Sequence, residues 1–347
     1  MHPEWRRILS VATKRITSID VANLAGVSVA AVSRAFTPGA SIAPATKKRV
    51  LEAASTLGYQ PNVIARSLNK RSSQLVGLLM SGWNNFGYVD VLRLLSERLE
   101  AHGYEVMLKS VLDREKIGEY VGQMLQYQVA ALVVVSEVLP AAVAADCTLR
   151  GLPTVLVNRI GRGTGSCAVS VDGTNLGNSI ADFLIERRHR RIALLRGRAD
   201  IDYVDDVMNA IKERTATSGS CEVIADLDGV LGYEAGRRCI SELFSRAETP
   251  DGVFCSYDHT AIGVMDGARI DLGLSIPEDL SVIGNGDRAP ASWGAHELTT
   301  VGYPRDEVVE KAVHILLSRL EDPDLEPETA LLKTDLVIRA STREKSV

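Results

Sequence analysis

The chain has 347 residues, 46% of them hydrophobic, which describes a soluble globular protein long enough for two or three domains with large cores. Its five cysteines (Cys147, Cys167, Cys221, Cys239 and Cys255) are widely spaced and contain no C-x-x-C, which argues against a disulfide framework or a zinc motif and fits reduced thiols. The net charge of −5 conceals an asymmetry: residues 1–73 hold eleven Lys/Arg against Glu4, Asp20 and Glu52, a net +8, so the remainder is −13.

A basic head on an acidic body suits a polyanion partner for the head, although such a stretch also serves as a solvated face. No apolar run approaches membrane-spanning length, and residues 1–17 lack the apolar core of a signal peptide, so no membrane partner and a cytoplasmic location are expected. Residues 1–15 read as a loosely held extension.

Two short helices are predicted over 19–25 and 29–36, joined by Gly26-Val27-Ser28. Thr17 with Asp20 three residues on is a capping-box pattern, and Ser28 caps the second helix. Gly26 stands where the chain leaves the first helix, a place where positive φ is cheap for glycine. Two helices joined so tightly form the unit whose second helix can lie in a DNA major groove. An ordinary helical hairpin in a core has the same spacing. A third helix follows over 44–57, with Val50, Leu51, Ala54 and Leu57 on one face, and Pro61 can open another short one through Leu68. Two turns are marginal alone, so this last helix needs a partner to form.

From Gln74 the pattern alternates. Apolar runs at 75–80, 106–108, 131–135, 154–157, 191–195, 252–255 and 280–283 read as buried parallel strands. Helical periodicity fills 91–102, 117–128, 141–149, 175–187, 204–215, 231–244, 260–272 and 306–320. Such alternation predicts doubly wound α/β sheets with right-handed crossovers, and the number of strands suits two lobes with a crevice at the strands' carboxyl ends. Gly161–Ser166 lacks the GK[ST] ending of a phosphate loop and reads as a connector. His189 reads as a cation at a helix C-terminus. The histidines are too scattered for a metal site, and neither a nucleophile elbow nor a catalytic carboxylate pair is present. No enzyme activity, cofactor or metal is expected.

The residues of the head resemble the lactose-repressor (LacI/GalR) family of bacterial transcription factors. The shared motifs are Ile19-Asp20-Val21-Ala22, Ala25-Gly26-Val27-Ser28, Val32-Ser33-Arg34, Leu57-Gly58-Tyr59-x-Pro61-Asn62 and Ala65-Arg66-x-Leu68. The body continues the match with Val76-Gly77-Leu78-Leu79, His189-Arg190-Arg191-Ile192-Ala193, Ile276-Pro277-x-Asp279-Leu280-Ser281-Val282-Ile283-Gly284 and Leu298-Thr299-Thr300-Val301. The resemblance implies an all-α helix-turn-helix head over 16–60, a hinge helix and linker over 61–73, and two α/β lobes similar to periplasmic sugar-binding proteins. Their expected extents are 74–170 with 303–330, and 171–302 with 331–342, before a tail at 343–347. It also implies a homodimer, or a tetramer of dimers, on a palindromic double-stranded operator, with a small effector in the cleft that changes operator affinity.

Within that resemblance Val29, Ala30 and Arg34 occupy base-reading positions. Arg34 can fork onto guanine O6 and N7, whereas Val29 and Ala30 read thymine methyls or tolerate several bases. Thr17, Ser28 and Ser33 suit phosphate contacts. Asn62, Ala65 and Arg66 of the hinge are expected to bind DNA, and Leu68 is expected to wedge into a minor-groove base step. The alternative for Leu68 is packing on the head. Ala43 before Pro44 departs from the usual serine cap.

The cleft departs further. The stretch 205–211 lacks the family's arginine, Tyr257-Asp258 replaces Asn-Asp, Gly286 replaces a ligand-holding acid in Gly284-Asn285-Gly286-Asp287, and Leu227 replaces an aromatic. Residues still able to line the cleft are Asn84, Phe86, Asn158, Arg159, Tyr257, Asn285, Asp287 and Tyr303. Unmatched sugar hydroxyls are costly to bury, so a non-standard effector, or none, is expected. A solute-binding protein would need a signal peptide and no helix-turn-helix. A doubly wound enzyme would need a dinucleotide glycine fingerprint or a catalytic constellation.

Overall fold

The computed structural model describes residues 16–37, 39–60, 73–80, 86–111, 113–135, 140–160, 164–197 and 202–345. The chain divides into two compact units, 1–73 and 74–347.

In the first unit three helices, α1 (Ser18–Ala25), α2 (Val29–Ala35) and α3 (Pro44–Leu57), close on Val21, Ala22, Ala25, Val32, Ala35, Val50, Ala53 and Ala54. Phe36 and Tyr59 meet edge to face, with ring centroids 5.9 Å apart, at the margin of this core. Leu51, expected on the buried face of α3, is 42% exposed, and Ala53 packs inward instead. Alanine and valine make up this buried core.

The second unit begins with β1 (Leu75–Met80), α4 (Phe86–Ala101), β2 (Glu105–Ser110), α5 (Ile117–Gln126), β3 (Ala131–Val135), α6 (Ala141–Leu149), β4 (Thr154–Val157) and β5 (Cys167–Val171). It continues with α7 (Gly173–Glu186), β6 (Arg191–Leu195), α8 (Asp202–Ser218), β7 (Glu222–Leu227), α9 (Tyr233–Phe244), β8 (Gly252–Cys255), α10 (Asp258–Asp266) and β9 (Ser281–Asn285). Last come β10 (Thr299–Val301), α11 (Arg305–Glu321), β11 (Thr329–Leu332) and β12 (Leu336–Val337).

The strands form two six-stranded sheets, ordered β11-β5-β4-β3-β1-β2 and β12-β10-β9-β8-β6-β7. Every pairing is parallel except β10 with β12. The chain passes between sheets after β5, after β10 and after β11. Val171, Leu331 and Leu332 therefore belong to strands of the first sheet, in register Leu331↔Ser170 and Leu332↔Val171, whereas the sequence reading assigned them to the second lobe. The connector 161–166 does not divide the lobes, because β5 beyond it still pairs with β4.

The central strands β3, β4, β8 and β9 are buried along their whole length, so they are continuous apolar runs without alternation. The helix expected over 260–272 changes character: α10 ends at Asp266 and a π-helical turn, Gly267–Asp271, carries the chain on. His189, just past the C-terminal end of α7, is buried. It is 1% exposed, and its Nδ1 lies 3.5 Å from Asp251 Oδ1. Burial raises the Asp251 carboxyl, but His189 and the backbone N–H groups of Arg190 and Arg191 outweigh it, leaving its pKa below the ordinary value. Among the described residues no helix is long and apolar enough to cross a membrane.

Candidate nucleic-acid interface and cleft

The turn between α1 and α2 is built from local hydrogen bonds. Thr17 accepts from the Asp20 backbone N–H at 3.4 Å, and the Asp20 carboxylate accepts from the Thr17 N–H at 2.8 Å. The Thr17 hydroxyl also donates to that carboxylate at 2.7 Å. Gly26 closes α1 at φ +64°, and the Ser28 hydroxyl accepts from the Ala31 N–H at 3.2 Å to open α2.

The alternation of burial in α2 decides what the helix presents. Ala31, Val32 and Ala35 face the head core, whereas Ser28, Val29, Ala30, Ser33 and Arg34 are exposed. Thr17 is exposed as well. Lys47, Lys48 and Arg49, which the sequence reading did not single out, add exposed positive charge on α3. Asn62, Ala65, Arg66 and Leu68 lie outside the described residues.

In the body, the candidate cleft residues gather at the carboxyl ends of parallel strands. Asn158 follows β4 at φ +62° and is 4% exposed. Its side-chain oxygen accepts from the hydroxyl of Tyr303, which follows β10 and is 8% exposed. Arg159 beside it is almost completely buried. Asn285 ends β9, and its amide donates to the Tyr203 hydroxyl at 3.3 Å. Asp287 stands at φ +47°, and Arg339 donates to its carboxylate at 2.6 Å. Tyr257, buried, lies so close to Gly197 that a Cβ there would fall 2.7 Å from the ring. Tyr257 and Tyr303 join one hydrophobic cluster that runs through both sheets. Phe86 is the first residue of α4, and Asn84 lies outside the described residues.

Sequence reasoning missed Tyr203, Arg305, Arg339 and the true setting of Asp258. The Asp258 carboxylate is buried and accepts from the Thr300 hydroxyl and, at 2.7 Å, from the Arg288 N–H. Burial raises its pKa, against the opposing effect of those two donors. A Cβ on Gly284 would stand 2.4 Å from Asp258 Oδ1, so the close approach of β9 to α10 requires glycine. Among the described residues no group of three or more His, Cys, Asp or Glu could hold a metal ion.

Comparison with known proteins meets this geometry. A family described as "Bacterial regulatory proteins, lacI family" matches residues 18–62, and a "Periplasmic binding protein-like domain" matches 181–342. Catabolite control protein A of Priestia megaterium is 26% identical over 331 residues, 94% of this chain and 99% of that protein. The HTH-type transcriptional regulator RegA of Clostridium saccharobutylicum is 29% identical over 336 residues, 94% and 99% of the two chains. The HTH-type transcriptional repressor PurR of Vibrio atlanticus is 28% identical over 331 residues, 93% and 98%.

The fold matches that of a lac repressor dimer bound to operator and an anti-inducer, with TM-score 0.86, 23% identity and coverage of 95% and 99%. A CelR–cellobiose complex matches with TM-score 0.68 at 26% identity, covering 94% and 100%. The chain carries a lacI-family DNA-binding head followed by a periplasmic-binding-protein-like body.

Proposed function

We propose that this chain is a cytoplasmic, sequence-specific repressor that binds a palindromic operator as a homodimer through α2 and the segment 61–68. The observation that carries the reading is the burial pattern of α2: the helix spends Ala31, Val32 and Ala35 on the head core and leaves Val29, Ala30, Ser33 and Arg34 outward. Arg34 supplies the guanine contact, Val29 and Ala30 supply apolar contact to thymine methyls, and Leu68 wedges a central base step. Ser28 is better placed than Thr17 to donate to a phosphate, since the Thr17 hydroxyl proton is already given to Asp20.

The cleft is proposed to take a non-standard effector, because Asn158 with Tyr303 and Asn285 with Tyr203 already bond one another. A sugar would have to replace those bonds at no loss. Selection of bound sequences from a random duplex pool tests the reading. The expected result is enrichment of one palindrome, bound with strong salt dependence. Arg34→Ala is expected to reduce preference for that palindrome by roughly 10- to 100-fold, the equivalent of about 1–3 kcal/mol. Failure to enrich any palindrome overturns the reading.

A further inference from the structure

Arg305 is the first residue of α11, a helix that packs on α4, β4, β5 and β11 and so travels with the first lobe. A cation at a helix N-terminus is electrostatically disfavoured, since the unpaired N–H groups there already carry partial positive charge. Asp306 and Glu307 follow the expected acidic bias of a first turn, and Arg305 opposes it. Its side chain is 22% exposed and leaves α11 to reach the second lobe. There Arg305 Nη2 donates to the carbonyl of Gly286 at 2.5 Å and to that of Asp287 at 3.0 Å.

Both acceptors lie in the loop that follows β9, with φ +128° at Gly286 and +47° at Asp287. A non-glycine residue at positive φ is held there by its surroundings, at a cost of about 1–3 kcal/mol. The loop is anchored on its own lobe in three ways. Arg339 holds the Asp287 carboxylate at 2.6 Å, the Gly286 N–H donates to Val301 at 3.0 Å, and the Arg288 N–H donates to the buried Asp258 at 2.7 Å. On the other side, Arg305 Nε lies 3.9 Å from Asp90 Oδ2 of α4. One guanidinium therefore touches an anchored loop of the second lobe and a helix of the first.

We infer that Arg305 is a positioning residue that ties the two lobes together without a ligand, so that any cleft effector acts by straining or releasing this tie. The inference rests on the regulator reading above for its consequence at the operator, but its geometry stands without it. A sliding or hinge motion of the lobes carries α11 away from the 286–287 carbonyls, and the tie opposes that motion. A ligand shifts an equilibrium only by its differential affinity for the two states, so an effector that competes for the 286–287 carbonyls or for Arg305 favours the arrangement in which the tie is broken.

Hydrogen exchange of the full-length protein tests the tie. Arg305→Met keeps the aliphatic stem and removes the donors. The expected result is about tenfold faster exchange both in the 284–288 segment and around Asp90 in α4, local openings that the tie now suppresses. Arg305→Lys, which keeps charge and donors, is expected to restore most of the protection. Asp90→Asn is expected to act on the α4 side alone. A merely structural arginine would disturb only the first turn of α11, and exchange changes confined there overturn the inference.

A second readout is the ratio of operator to non-specific affinity, expected to change at least fivefold in Arg305→Met. An unchanged ratio with loosened lobes removes the regulatory role. Absence of any operator preference in the wild-type chain instead defeats the regulator reading, and the exchange result still decides the tie.

Discussion

The outward face of α2 and the carboxyl ends of the body strands treat their side chains in opposite ways. Arg34, Ser33 and Ser28 stand in solvent, and α2 meets the rest of the head through alanine and valine. In the cleft, Asn158 bonds Tyr303, Asn285 bonds Tyr203, and Asp287 bonds Arg339. A surface that reads a polyanion keeps donors hydrated until the partner replaces water. A cleft at the ends of buried strands cannot leave polar groups unpaired, since each orphan costs about 1–3 kcal/mol. Where the ligand's groups are not built in, the protein's own groups take their place. The same contrast appears in backbone chemistry. Gly26 is glycine for its φ of +64°, with nothing within 4 Å of a would-be Cβ. Gly284 is glycine for space alone.

That distinction gives the largest expected effect. Gly284→Ala drives a Cβ to 2.4 Å from Asp258 Oδ1 and 2.8 Å from Leu298 Cδ2. Asp258 must give up Thr300 or the Arg288 N–H while remaining buried, so a loss of about 3 kcal/mol or more is expected. Gly26→Ala meets no atom and is expected to cost only about 1–2 kcal/mol, the ordinary penalty of a left-handed alanine. Thermal unfolding of both variants measures the pair. Equal losses would erase the contrast between conformation and space.

A smaller effect is expected where the cleft satisfies itself. Tyr303→Phe removes the hydroxyl that Asn158 accepts from and keeps the ring in the cluster that spans both sheets. A destabilisation of about 1–2 kcal/mol is expected from the lost donor. The Asn158 oxygen then loses that donor, and a ligand hydroxyl can take its place. Calorimetry of Tyr303→Phe against a panel of neutral sugars is expected to show binding stronger than that of the unaltered protein. Tight sugar binding by the unaltered protein would show that the internal pairs do not compete with a ligand.

The head was legible because its determinants are local. A cap spans three residues, as Thr17 and Asp20 or Ser28 and Ala31 do, and the chain carries both partners within a single turn. Central strands such as β3 were legible for a different reason, their unbroken apolar runs. The strand β7 was missed because it is an edge strand, half-exposed and interrupted by Asp226. Short β10 and β12 carry too few residues to form a pattern. The π-helical turn escaped notice because Ala268 keeps helical spacing while the backbone changes register. The cleft was least legible. Tyr303 lies 145 positions from Asn158, and Asn285 lies 82 from Tyr203, so only the two sheets bring them together. Arg305 offered no signal at all, since an arginine opening a helix reads as a solvated cation until the loop after β9 is in place.

The least effect expected separates stability from recognition within the head. Ala43 is the N-cap of α3, in extended conformation at φ −61° and ψ 134°, and provides no side-chain hydrogen bond. Pro44 at the first helical position lacks an N–H, but Lys47 and Thr46 still point their backbone N–H groups at the Ala43 carbonyl at 3.0 and 2.9 Å. Ala43→Ser places a hydroxyl where it can share the Thr46 N–H in the same backbone conformation. A gain of about 0.5–1 kcal/mol in the stability of the head is expected. Ala43 is exposed and lies outside α2, so the sequence preference proposed to run through Arg34 should not move. Denaturant unfolding that follows the head, set beside operator titration, separates the two quantities. A shift in sequence preference with the added cap would mean that α3 helps to aim α2, and that the outward face of the head is less independent of its core than its burial pattern implies.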